Sequence, residues 1–358
     1  MKRILIAGLG QMGKVYINAL KKLGVEEAEI LGHDIDSVKC NEFKQKFPGV
    51  NCFPLLHEDV HEEATSMAIV ATNTPSHHKV IAELMSFGIR HLLCEKPIGI
   101  NMEAVEQIGT AIKETGAKIF TAFLMNFSPS VLKVIEKMQS EDLIMTEGSV
   151  VWGKNRKGDK RPTPGDLEDE SVHGVGILHR LAGVNQKIQE LKVSAQLTYP
   201  EFVDPTAQAK AHSLDSSFPE RVNATSMVLE RIKTDVSETS CVLHSSFLYP
   251  HQIRRVSTVL SKQSDPLCPM YSVEMDFDVK TGIGGVEDQL TITTLDGNKV
   301  EFFQFACDKI LDQTRAFLQA AKGTVDPRLA DFDEAKRAVA FSDAVMKSNQ
   351  LLGATVMV

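Results

Sequence analysis

Over residues 1–122 the hydrophobic positions come in short unbroken runs separated by amphipathic stretches. "RILIAGL", "AEILGHD", "SMAIVAT", "HLLCEKP" and "KIFTAF" have strand length and little polar alternation, which predicts strands buried on both faces. Between them "GQMGKVYINALKKLG", "SVKCNEFKQKF", "SHHKVIAELMSFG" and "MEAVEQIGTAIKETG" carry apolar residues at helical spacing, and three of these close on glycine. Strand and helix in strict alternation predict a parallel sheet covered on both faces, an N-terminal doubly wound Rossmann domain in an α/β protein.

Near residue 123 the period changes from helical to strand-like. After one more helix, "PSVLKVIEKMQ", the runs "EGSVVWGK", "IQELKVSAQLTY", "SETSCVLHSSFLY", "IRRVSTVLS", "MYSVEMDFDV" and "DQLTITTLDGNKVEFFQF" alternate, and "LDGN" reads as a hairpin turn. A C-terminal α+β domain on a mainly antiparallel open sheet, residues 123–358, is expected to bind substrate and to oligomerise. Within it, residues 200–236 fit no strand pattern and read as an excursion, a lid or an interface arm. Residues 331–352 predict a C-terminal amphipathic helix with an acidic first turn.

Composition narrows the function. At 358 residues and 43% hydrophobic, the chain can bury two cores. Its net charge of −8 is dispersed, without the basic block that a nucleic-acid or anionic-membrane partner requires. Six cysteines show no CxxC and no zinc-site spacing, as expected of reduced thiols in a cytoplasmic protein. The N-terminus reads as a first strand rather than a secretion signal, and no run approaches the roughly 18 apolar residues of a membrane helix.

The chemistry gathers where the predicted strands end. "GLGQMG" places Gly8, Gly10 and Gly13, with Gln11 and Met12 between them, directly after a strand and at the start of a helix. Glycine there lets backbone approach a pyrophosphate, and the helix N-terminus offers it unpaired N–H groups and positive dipole. Asp34, followed by Ile35, ends the next strand, where a carboxylate accepts both ribose hydroxyls. Its charge would repel a 2'-phosphate, and no arginine follows in "DIDSVK", so NAD is expected over NADP. "ATNTPSHH" brings Thr72, Asn73, Thr74 and His78 to the ligand-binding edge of the sheet. Adjacent His77 and His78 would point about 100° apart on a helix, so they serve a cofactor edge or helix start, and no metal site is expected. "LLCEKPIG" ends a buried strand on Glu95 and Lys96 at that same edge, which turns a solvated strand end into a candidate site.

The series "GLGQMG", "ATNTPSHH", "HLLCEKPIG", "NFSP" (Asn126 to Pro129) and "DESVHGVGILHRLAG" resembles the glucose-fructose oxidoreductase, inositol dehydrogenase and rhizopine catabolism (Gfo/Idh/MocA) oxidoreductase family. The likeness is close over the first half and looser at the C-terminal helix. The resemblance implies hydride transfer between a nicotinamide and a carbon of a polyhydroxylated small molecule, such as a sugar, sugar acid, nucleotide sugar or cyclitol. It implies a homo-oligomer, dimer or tetramer, using the open sheet. It also implies that Lys96 acts with a downstream Asp-x-x-x-His pair, matched here by Asp169 and His173.

Residue chemistry agrees with those roles. Histidine suits loss of a hydroxyl proton near neutrality, a cationic lysine stabilises charge developing on the reacting oxygen, and i, i+4 spacing in a helix puts Asp169 and His173 on one face. The chain also differs from the family pattern: Gly176 stands where an aspartate follows the histidine, and Asn126 where an arginine is frequent. Lys154, Arg156, Lys160 and Arg161 precede the catalytic segment, either as a solvated basic loop or as a clamp for a substrate carboxylate or phosphate. His179 and the histidines at 212, 244 and 251 have no partner visible in the sequence and read as structural or exposed. Two rival readings stay open: an enzyme that keeps NAD bound and uses transient oxidation for elimination or glycoside hydrolysis, and a non-catalytic dinucleotide-sensing regulator.

Overall fold

A computed structural model describes residues 3–54, 65–157, 163–199, 209, 223–280 and 286–358. The chain divides into two compact units, 1–124 with 308–339, and 125–307 with 340–358.

The first unit is built on β1 (Ile4–Ala7), α1 (Gln11–Lys22), β2 (Ile30–His33), α2 (Ser37–Lys46), β3 (Asn51–Phe53), β4 (Met67–Val70), α3 (His77–Ser86), β5 (His91–Cys94), α4 (Met102–Thr115) and β6 (Lys118–Thr121). Its six strands are all parallel, in the order β3-β2-β1-β4-β5-β6. This is the doubly wound Rossmann arrangement, whose switch point lies between β1 and β4. The central strands are buried at every position, which is why they read as unbroken apolar runs. β3 is three residues long, too short to show a pattern in the sequence.

Helix termini explain the boundaries. α2 starts where the Asp36 carboxylate accepts the Val38 N–H at 2.9 Å. α4 starts at Asn101, whose side chain accepts the Ala104 N–H at 2.9 Å, and stops at Gly116 in the left-handed region at φ 65°. α1 differs: Gly10 at its N-cap offers no side chain, so the first N–H groups are left for another partner.

The second unit contains α5 (Pro129–Ser140), β7 (Leu143–Asn155), α6 (Val172–Ala182), β8 (Ile188–Thr198), β9 (Thr225–Thr234), β10 (Glu238–Ser246), β11 (Leu248–Lys262), β12 (Asp265–Lys280), β13 (Val286–Thr294) and β14 (Val300–Ala306). After them come α7 (Lys309–Ala320), α8 (Phe332–Gln350) and β15 (Val356–Met357). The sheet runs β14-β13-β12-β11-β7-β10-β9-β8-β15, antiparallel except where β10 pairs with β7. One face is buried, with Val150, Trp152, Leu178, Leu181 and Val273 in a single core, and among the described residues the other carries the exposed alternate positions of β9, β10 and β14.

Two expectations change. Residues 200–236 were expected to hold no strand, yet Thr225–Thr234 is β9, paired on both sides. Its inward positions include Ser226, Glu230 and Thr234 while Met227 and Leu229 face outward, so polarity conceals the alternation. Residues 200–208 and 210–222 of that excursion lie outside the described residues. The expected division at 122/123 also moves. Asp308–Val339, including α7 and the start of α8, groups with the first unit. There Ala335 and Val339 join the core of Leu5, Val70 and Leu92.

Candidate functional site

The glycine loop shows three glycines required for two reasons. Gly8 sits at φ +97°, and a Cβ on it would lie 2.5 Å from the Ala71 carbonyl carbon and oxygen. A Cβ on Gly13 would lie 2.2 Å from the Gly8 carbonyl oxygen. These two are demanded by the chain's own packing. Gly10 has no atom within 4 Å of a Cβ position, so its smallness serves something the polypeptide does not supply. With the uncapped start of α1, this is the form of a pyrophosphate cradle. Gln11 and Met12 form the first turn of that helix.

Asp34 stands at the end of β2, 8% exposed. Its Oδ2 accepts the Leu9 N–H at 3.0 Å and its Oδ1 the Asp36 N–H at 3.0 Å, so the carboxylate also pins the glycine loop. Ile35 beside it is 86% exposed, an apolar shelf fit for an adenine face. The cation missed in "DIDSVK" is Lys39, whose Nζ lies 3.7 Å from Asp34 Oδ2. The absence of an arginine therefore does not leave Asp34 without a positive charge nearby. At the end of β4, Thr72 Oγ1 is buried without a hydrogen-bond partner, a group positioned to meet a ligand. Asn73 and Thr74 follow it, with Asn73 bonded to Ser76.

Of the adjacent histidines, the sequence favoured His78 as a cofactor contact, and the structure gives the firmer role to His77. Fully buried, its Nδ1 lies 2.9 Å from Pro97 O and its Nε2 3.2 Å from Thr72 O. Burial drives its pKa down to about 4, so the ring is neutral with a single N–H, and the shorter contact is the one from Nδ1 to Pro97 O. His78 is half-buried at the start of α3. Glu95 and Lys96 leave β5 at the same edge, both half-buried, with the Lys96–Pro97 bond cis. Glu95 accepts the Tyr16 hydroxyl at 2.6 Å, a contact across 79 residues that no local pattern announces.

In the second unit, Asp169 lies in a turn wound more widely than an α-helix, Leu167–Ser171, which leads into α6. Asp169 Oδ2 accepts Arg156 Nη1 and Thr163 Oγ1, each at 2.7 Å. Arg156 is 6% exposed, its guanidinium 4.8 Å from the Phe247 ring. It is not a solvated loop residue, and its guanidinium holds Asp169. Lys154 likewise pairs with buried Glu170. Lys160 and Arg161 lie outside the described residues.

His173, at the start of α6, stacks on buried Trp152 with ring centres 5.8 Å apart. Asn126 is 1% exposed in the turn before α5. Two acids of the turn carry raised pKa values. Burial lifts Asp166 to about 7 against hydrogen bonds from Ser245 and Ser226, and burial lifts Glu168 to about 8. His179 is bound to Glu230 at 2.7 Å, and His244 to Tyr249. Among the described residues, no group of three or more His, Cys, Asp or Glu is arranged to hold a metal ion, and no helix is long and apolar enough to cross a membrane.

Residues 2–123 match the Gfo/Idh/MocA family model, described as "Oxidoreductase family, NAD-binding Rossmann fold". A myo-inositol 2-dehydrogenase of Thermotoga maritima is 23% identical over 139 residues, 38% of this chain and 41% of the relative. A myo-inositol dehydrogenase of Streptomyces leeuwenhoekii is 22% identical over 209 residues, 56% of this chain and 62% of the relative. The chain thus covers less than two thirds of each relative's length. The solved aldose-aldose oxidoreductase of Caulobacter crescentus, complexed with glycerol, superposes with a TM-score of 0.75 at 14% identity, covering 100% of both chains. That last likeness is one of fold. The family model thus covers the first unit, residues 2–123, and agrees there with the Rossmann strand order and the glycine loop.

Proposed function

We propose that the protein is an NAD-dependent dehydrogenase acting on a secondary alcohol, or the corresponding ketone, of a sugar, sugar acid, nucleotide sugar or cyclitol. The observation that carries this reading is the strand-end edge of the first unit, where the open Gly10 cradle, Asp34, the unpartnered Thr72 hydroxyl and Lys96 all follow parallel strands. A nicotinamide bound there supplies the two-electron acceptor. Gly8, Gly10 and the first turn of α1 hold its pyrophosphate, Asp34 its ribose, and Ile35 its adenine.

His173 takes the hydroxyl proton as the alcohol is oxidised and returns it in the reverse direction. Lys96 hydrogen-bonds the reacting oxygen and stabilises its developing charge. Asp169, fixed by Arg156 and Thr163, orients the substrate hydroxyl or the imidazole. Arg156 acts through Asp169 rather than on the substrate.

NAD is the proposed cofactor because Asp34 is a carboxylate at the ribose position, with Lys39 setting how strongly NADP is disfavoured. A cytoplasmic homo-oligomer is proposed with it. All six cysteines are free. The open sheet face carries one cross-strand row of Leu229, Val242, Ser149, Ser257, Glu274, Thr291 and Phe302, whose two ends are exposed and apolar.

An NAD-linked screen of sugars, sugar acids and inositols tests the activity. With a substrate found, Lys96→Ala and His173→Ala should each lower turnover by about two or more orders of magnitude with NAD affinity nearly unchanged. Wild-type turnover in either variant removes the assignment. Product formation with no net NADH would identify an enzyme that keeps its cofactor, and saturable binding without turnover a sensor.

A further inference from the structure

Glu95 stands next to the proposed catalytic lysine, and its surroundings give it a task. Tyr16, fully buried on α1, donates its hydroxyl to Glu95 Oε1 at 2.6 Å. Glu95 Oε2 accepts the backbone N–H of Lys96 at 3.3 Å, and the Glu95 N–H donates to Val70 O at 2.8 Å. One residue therefore joins the helix that begins at the glycine loop, the end of β4, and the backbone that carries the lysine. A phenylalanine would fill the same volume on α1, and a hydroxyl buried there costs desolvation unless it is bonded. The oxygen serves this contact.

We propose that Tyr16 is a positioning residue for Lys96: through Glu95 it fixes the backbone from which the lysine projects and ties it to the helix that receives the cofactor pyrophosphate. The proposal rests on the reading of Lys96 as the group that acts on the reacting oxygen. A second brace, His77 to Pro97 O, holds the following residue from the side of α3 and is independent of Tyr16.

The arrangement has an electrostatic consequence. The titratable groups around Glu95 are Tyr16 on α1 and Cys94 and Lys96 on its own strand end, with His77 on α3 feeling Lys96. Burial raises the Glu95 carboxyl above its usual range, while the Tyr16 bond and the Lys96 charge pull it down. Deleting the tyrosine hydroxyl leaves burial less opposed, so Glu95 becomes neutral at a higher pH and Lys96 loses its anionic neighbour there.

Tyr16→Phe, made in the full chain, tests this. NADH affinity by nicotinamide fluorescence should stay within about twofold, kcat should fall about tenfold through misplacement of Lys96, and the acid limb of the kcat profile should move to higher pH. Glu95→Gln should remove that movement, so that the double variant behaves as Glu95→Gln alone. A Tyr16→Phe enzyme with wild-type kcat and acid limb overturns the proposal, as does a loss of NADH affinity in proportion to kcat. A 13C titration of the Glu95 carboxyl, assigned through Glu95→Gln, needs no substrate and should move upward in Tyr16→Phe. An upward shift in a chain lacking NAD-linked turnover would refute the dehydrogenase reading while upholding the Tyr16–Glu95 tether. An unmoved titration beside normal wild-type turnover would refute the tether and leave the dehydrogenase standing.

Discussion

In the first unit the candidate cofactor residues are placed by backbone: Gly8, Gly10 and Gly13 follow β1, Asp34 ends β2, Thr72 follows β4 and Lys96 follows β5. In the second unit Asp169 and His173 are placed by side chains from elsewhere, Arg156 and Thr163 on one and Trp152 beneath the other. The first kind of site tolerates change in side chains but not in backbone space. The second depends on contacts that a single truncation removes.

The largest effects should fall on the glycine loop. Gly13→Ala forces a Cβ to within 2.2 Å of a carbonyl oxygen and Gly8→Ala forces one at positive φ, so each should cost about 3 kcal/mol or more in urea unfolding. Gly10→Ala, with nothing within 4 Å, should leave stability within about 0.5 kcal/mol while weakening NADH binding at least tenfold. If all three unfold alike, the distinction between packing glycines and a ligand glycine is lost.

The second unit should show its own signature in pH. Asp166 and Glu168 bind protons more tightly folded, at about 7 and about 8, than at their ordinary values of 3.8 and 4.5. Their contribution is therefore fully present below the unfolded values and is lost as pH rises through the folded ones. Stability should decline between about pH 4 and pH 8, and Asp166→Asn with Glu168→Gln should flatten the decline. A flat wild-type profile from urea midpoints at pH 5 and 8 would contradict it.

Arg156 comes next. Arg156→Met should cost about 2 kcal/mol, below the range for fully buried pairs because Asp169 is partly exposed, and should lower kcat more than it raises KM. A rise in KM alone at unchanged stability would return Arg156 to the substrate clamp that its sequence position suggested.

The same contrast explains what could be read in advance. Parallel strands buried on both faces leave unbroken apolar runs, and glycines at fixed offsets mark the turns, so the Rossmann half and the strand ends that carry the candidate cofactor residues were legible. Tyr16 to Glu95, Arg156 to Asp169 and Trp152 to His173 were not, because none of these contacts has a local pattern. β9 was hidden for a different reason. Glu230 occupies an inward position, made tolerable by its bond to His179, while Met227 and Leu229 face outward. Polarity there reports the partner rather than the face.

The smallest effect tests the first unit at its most exposed point. Lys39 is half-exposed, 3.7 Å from the buried Asp34 carboxylate, and a cation that reaches into solvent at this distance contributes little to folding. Lys39→Ala should leave the urea midpoint unmoved. Its charge matters for a ligand instead, since a 2'-phosphate on the ribose would meet Asp34 and Lys39 together. Without the lysine, the ratio of kcat/KM for NADP to that for NAD should fall by about three- to tenfold at low salt, and by less as ionic strength screens the exposed charge. An unchanged ratio would make Lys39 no more than a neighbour of Asp34. A wild-type preference for NADP would show that the lysine outweighs the carboxylate, and that the backbone position of Asp34 does not by itself decide the cofactor.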